Sequence, residues 1–270
     1  VTATTSVSTT TIAAASKDLN GPNLIDPTIN RAASGYRNFG DHSLFGDAGA
    51  ASSDVAQGQV GDCYFLAVLA SVAKARPETL RQTIVDLGDG TFAVQFKKNG
   101  ASVFVRVDAD LPTTLGGSLA YANFGSQGAM WVALVEKAWA SFRTATGGYA
   151  GIDGGWMEES YKAIGMSATS TMSGTGQTLL SLMANGLAAG KSVTFAVSKP
   201  PAGTNLVGSH AYMVDAVIFG ADGKPVSVRL RNPWGVDSYS STDGANDGLV
   251  TISADQAGKA MLGMTIGTFA

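Results

Sequence analysis

The chain has 270 residues, a hydrophobic content of 45% and a formal net charge of −3. That length can bury roughly three quarters of the unfolded surface, in one large domain or two smaller ones. Mild acidity without a long Lys/Arg run gives no footprint for nucleic acid, no apolar stretch is long enough to span a membrane, and a single cysteine excludes an internal disulfide or a multi-cysteine zinc site.

Residues 1–16 are Ser/Thr/Ala-rich without period and read as a disordered arm, a segment that a protease could nick in its own chain. Residues 17–51, rich in Asn, Asp, Gly and Pro, read as irregular lead-in. A buried helix is predicted over 63–75, because Phe65, Leu66, Val68, Leu69 and Val72 leave it apolar nearly all round. Alternation predicts strands over 91–96 and 102–108, joined at 97–100 as a hairpin. An amphipathic helix follows over 129–142. Glycines crowd 147–155 as a hinge. Helices are predicted over 156–164 and 178–187, and strands over 192–197, 210–219, 226–231 and 249–252. Helices dominate early and strands late, so the class is α+β. The organisation is an arm and lead-in over 1–40, a helical lobe over 41–152 and a β-rich lobe over 153–270.

Cys63 opens the first helix, within Gln57-Gly-Gln-Val-Gly-Asp-Cys-Tyr. Free N–H groups and a partial positive charge at a helix N-terminus stabilise an anion, and such sites can bring a thiol down to roughly 3.5–7.5. A thiolate nucleophile needs a base, and the base an orienting group. The chain has two histidines, His42 and His210. His42 sits in the irregular lead-in, where mobile loops make a poor catalytic scaffold. His210 opens a strand that turns at 220–223 and returns to Arg231. A constant index sum of about 443 puts Asn232 within a residue or two of His210. An Asn oxygen there can hold one ring N–H and fix the tautomer, and Trp234 can shield that bond. The Gln57 amide and the Cys63 N–H are two candidate donors to an oxyanion.

These residues resemble the protease core of calpains, the papain-like cysteine peptidases. Gln57–Ala67 resembles the nucleophile motif, with Tyr64 where that family usually has Trp. Gly208-Ser209-His210-Ala211-Tyr212 resembles the histidine motif, and Arg231-Asn232-Pro233-Trp234-Gly235 the asparagine motif. The linking segments 107–112 and 131–139 follow in order. The resemblance implies a two-lobed fold with the active-site cleft between the lobes. It implies Cys63 as nucleophile, His210 as base and then acid, Asn232 as orienter, Gln57 in the oxyanion hole and Trp234 over the His–Asn pair. It implies Gly154 and Gly155 as binders of substrate backbone, while Ser209 replaces a glycine and alters the contacts of that region. Gly49, Asp54 and Glu136 align with a calcium site of the family. Asp237, Asp243 and Asp247 lie where a second site would be, at a different spacing.

The implied activity is endopeptidase cleavage of a protein or peptide substrate. The same triad also serves acyl transfer of the transglutaminase kind, and a non-catalytic peptide-binding module is the third alternative. Calcium is a candidate ion and the chemistry itself requires no cofactor. Weak charge and Ser/Thr/Gly richness lean toward a secreted or extracytoplasmic bacterial protein.

Overall fold

The computed structural model describes residues 23–30, 32–144, 147–238 and 244–269. The arm expected to be a self-substrate falls outside them. The six α-helices among them are α1 (Cys63–Ala75), α2 (Pro77–Thr83), α3 (Trp131–Phe142), α4 (Met157–Ala163), α5 (Gly176–Ala188) and α6 (Ala254–Ala260). The strands are β1 (Gly35–Asn38), β2 (Ile84–Asp86), β3 (Thr91–Lys98), β4 (Ala101–Asp108), β5 (Asp110–Thr113), β6 (Ser167–Thr171), β7 (Ser192–Val197), β8 (His210–Phe219), β9 (Pro225–Arg231), β10 (Leu249–Ser253) and β11 (Met261–Thr268). None of the described helices is long and apolar enough to cross a membrane.

The first lobe gathers α1–α4, the three-stranded sheet β2-β3-β4 and the pair β1-β5. The hairpin predicted from alternation is present, and its strands run further than expected. Asn99 and Gly100 both take positive φ (52° and 80°), which makes a two-residue turn whose twist matches the flanking strands. The lead-in is more ordered than its composition suggests. β1 pairs with β5, and Asp26 joins Asp108 on the ammonium of Lys137 at 2.5 Å each. Lys137 is buried and is the centre of an internal ion cluster.

The second lobe is an antiparallel sheet in the order β10-β9-β8-β7-β11-β6. Successive side chains of a strand point to opposite faces. Tyr212 and Val214 of β8 therefore enter the core under α5 and α6, while Ala211 and Met213 enter the core of the first lobe. Helix α1 lies against that second face, which is why it is apolar nearly all round.

Polar contacts fix α1 on the sheet. Ser71 Oγ accepts from Val193 N–H at 2.9 Å and is hydrogen bonded to Ser192 Oγ at 2.7 Å, all buried, and Lys74 is paired with Asp215. Ser71→Ala strips the buried Val193 N–H of its acceptor. It is expected to lower unfolding free energy by about 1–3 kcal/mol, read from a shifted urea midpoint at unchanged slope.

Candidate active site

The loop before α1 touches both walls of a cleft. Gln57 N–H donates to Pro233 O at 2.7 Å, Gly154 N–H donates to Gly61 O at 2.8 Å, and Gly61 N–H donates to Asp153 Oδ1 at 3.1 Å. Cys63 is thereby held at the start of a helix that packs on β7 and β8. It lines a cavity of about 460 Å³ together with Gln57, Gly154, Ser209, His210 and Trp234. A smaller cavity of about 130 Å³ also has Cys63 and His210 in its wall, with Gly155, Trp156 and Leu262. Sequence reasoning named Cys63, His210, Asn232, Gln57, Gly154, Gly155, Ser209 and Trp234, and the structure gathers them in this one cleft.

His210 Nε2 lies 2.9 Å from Asn232 Oδ1, and Asn232 is fully buried. That oxygen also accepts the Trp234 backbone N–H at 3.0 Å. A backbone N–H needs an oxygen opposite it, so the amide orientation is set. His210 must then carry its proton on Nε2, which leaves the Nδ1 lone pair as the ring's acceptor. The Trp234 ring covers the imidazole with centroids 5.1 Å apart. The ladder sums its paired indices to 444–445, one or two above the expected 443, with register irregularities between Val214 and Ala216 and between Ile218 and Phe219. Ser209 reaches its place with φ +50°, the left-handed region a glycine enters freely.

Burial governs the charges. It pushes the Cys63 thiol up to about 11, with the Ala211 N–H beside the sulfur opposing and the Asp62 charge adding to the rise. It lowers His210 to about 4, against the hydrogen bond that the ring donates to Asn232 Oδ1. The helix N-terminus alone would have lowered the thiol, and desolvation outweighs it here. Gln57 Nε2 donates one hydrogen to Val60 O at 2.7 Å, and the same side chain hydrogen-bonds the Asp62 carboxyl and lines the cavity. His42 is elsewhere. It stacks on Phe124 at 4.0 Å and bonds Gly128 O.

Residues 32–248 match the family model described as calpain family cysteine protease. The chain belongs to the calpain family. Among curated relatives, calpain clp-1 of Caenorhabditis elegans is 29% identical over 197 residues, 67% of this chain and 25% of that protein. The calpain-1 catalytic subunit of Rattus norvegicus is 33% identical over 69% of this chain and 28% of its own length. The calpain-2 catalytic subunit of Gallus gallus is 29% identical over 76% and 33%. The chain thus spans about a quarter to a third of the length of the curated relatives it matches.

The residues aligned with a calpain calcium site do not fit an ion as they stand. Asp54 spends its carboxylate on four donors: Ala51 N–H, Ser126 N–H, Ser126 Oγ–H and Trp131 Nε1–H. Glu136 is five residues beyond Trp131 on α3, roughly 140° around the helix axis. Its carboxylate accepts the Ala122 N–H and lies against Asp62. Gly49 faces the side chain of Arg81, a cation. Calcium needs six to eight oxygens with lone pairs to give. Among the described residues no group of three or more His, Cys, Asp or Glu is placed to hold a metal. Asp237 and Asp247 brace their loop by accepting Gly248 N–H and Leu249 N–H, and Asp243 lies outside the described residues.

Two residues of the site were missed from the sequence. Asp62 occupies the helix N-cap position, where its type signals a cap, but its side chain caps nothing and turns inward to Glu136. Burial holds both carboxyls above the usual range, Asp62 at about 7, so a proton is shared between them. Arg143 has no signal in sequence. It donates to Gly151 O at 3.1 Å and Gly154 O at 2.7 Å, pairs doubly with Glu159 at 3.0 Å, and lies over the Tyr64 ring. It fixes the glycine wall of the cleft to the neighbour of Cys63.

Proposed function

We propose that the chain is a cysteine endopeptidase that works through Cys63, His210 and Asn232. The observation that carries this reading is the amide of Asn232, held by Trp234 N–H and by His210 Nε2, which turns an imidazole lone pair toward the cavity that Cys63 lines. Cys63 Sγ attacks the scissile carbonyl carbon as His210 Nδ1 takes the thiol proton. The oxyanion receives hydrogen bonds from Cys63 N–H and the Gln57 amide, which turns a hydrogen from Asp62 to the substrate. The C–N bond breaks as His210 returns the proton to the leaving amine. The thioester is then hydrolysed by a water that His210 deprotonates. No step uses a metal, and the two aligned acids, Asp54 and Glu136, serve the scaffold.

Both groups begin neutral, so the reaction starts with proton transfer rather than with a standing ion pair. Iodoacetamide at pH 6 is therefore a poor probe, because it waits for a thiolate. A peptidyl epoxide seated in the cleft, followed by intact mass, tests the reading. Addition at Cys63 is expected at a rate that is flat from about pH 5 to 9 and falls near pH 4, where His210 takes a proton from water and cannot accept one from sulfur. The His210 value lies below the usual 6.5. The unfolded chain therefore binds the proton first, and stability also falls as pH drops from 6.5 toward 4. An acid limb at 6.5 or above would contradict a buried neutral imidazole, and no adduct at any pH would sink the peptidase. Running the reaction on peptide substrate with and without added amine separates hydrolysis from acyl transfer.

A further inference from the structure

A further cavity lies outside the catalytic cleft. It measures about 950 Å³ and lies between the β3–β4 turn and α4. Trp156 lines both this groove and the 130 Å³ cavity beside Cys63, and its side chain is 54% exposed between them. A peptide leaving the cleft on that side crosses the indole and meets the groove.

The groove has an unbalanced charge. Its walls carry Lys97, Lys98, Arg143 and Lys162 against Glu158 and Glu159. Both acids are matched within it, Glu158 by Lys162 at 2.6 Å and Glu159 by Arg143. Lys97 and Lys98 have no carboxylate partner among the described residues. The site is therefore +2 on a chain that is −3 overall. Lysines often guard a free sheet edge, and β3 is unpaired on its β2 side at Lys97 and Lys98, because β2 reaches only Phe92–Val94. Lys97 is also placed rather than loose. Its stem crosses Gly165 with Cγ 3.5 Å from where a Cβ would stand, and its ammonium bonds Ser102 Oγ at 2.7 Å.

We propose that this groove is a second substrate surface, which takes acidic residues of the same peptide after it passes Trp156. The proposal rests on the peptidase reading and adds a selection rule: a carboxylate at a fixed remove from the cleaved bond is preferred over a neutral or basic residue. Opposite charges at a partly solvated pair contribute modestly and are screened by salt, so the preference is graded.

The test is a series of quenched peptides with one core sequence and Glu, Gln or Lys placed singly at each of six positions on either side of the bond. The wild type is expected to cleave Glu peptides about three to ten times faster than Gln peptides, by kcat/KM, at one contiguous stretch on one side only. In Lys97→Gln/Lys98→Gln the Glu preference should vanish while the Gln peptides are cleaved as before. Equal rates for Glu and Gln in the wild type, or a preference that survives the double variant, would overturn the proposal. If no peptide is cleaved, the peptidase reading has failed, and fluorescence anisotropy of the same labelled peptides then decides the groove. Tighter binding of Glu than Gln peptides, lost in the double variant, supports it. Equal binding overturns it.

Discussion

His210→Ala is expected to lower kcat on peptide substrate by about 10⁵–10⁶-fold, and Cys63→Ala/His210→Ala to be no worse than either single change. The physical reason is that the thiol is held protonated by burial, up to about 11. Without the imidazole the base of the cleft is lost, and a nucleophile that cannot form is equivalent to one that is absent. Steady-state rates of the three variants, with circular dichroism as a control for folding, check this. Losses that multiply would mean that the two residues act separately, and the triad would be the wrong description.

Asn232→Ala should cost less than loss of the base and should leave a different signature. Removal of Oδ1 frees the ring to rotate and removes the reason for Nε2 to keep its proton. A wrong tautomer places a hydrogen where the acceptor must be, and losses of about 10²–10⁴-fold in kcat follow from such changes, with KM nearly constant. The same oxygen satisfies Trp234 N–H, so stability should also drop by about 1–3 kcal/mol. Asn232→Asp keeps an acceptor for both donors and is expected to recover part of the rate. A variant with a raised KM and unchanged kcat would make Asn232 a substrate contact instead of an orienter.

Much of this site is readable from local patterns. The strand that opens at His210 and the one that returns to Arg231, just before Asn232, are joined through an Asp-Gly turn, so the hairpin register can be counted. β7 and β8 have the expected bounds, 192–197 and 210–219. Elements without a pattern are lost. β6 is a short polar edge strand, and β11 is interrupted by Gly263 and Gly267, the latter required because a Cβ there would stand 2.5 Å from the Tyr161 ring. α6 is seven residues long and is fixed by a Ser253–Gln256 capping box, a signal too short to stand out. The partners of Glu136 were beyond reach for another reason. A glutamate on an amphipathic helix is most simply placed in solvent, and only the three-dimensional packing shows that α3 is enclosed on the face that meets Asp62. The thiol illustrates the same limit. A helix N-terminus is visible in sequence, whereas the depth of burial that outweighs it is not.

The most direct test of the central claim is the release of new α-amino groups from unfolded casein at neutral pH under reducing conditions, with Cys63→Ala beside the wild type and with EGTA or millimolar calcium in parallel. Cleavage by the wild type at the same rate in both solutions is expected, since the aligned acids are bound to the scaffold, and none by Cys63→Ala. Cleavage by Cys63→Ala at the wild-type rate, or no cleavage by the wild type in either solution, would contradict that claim.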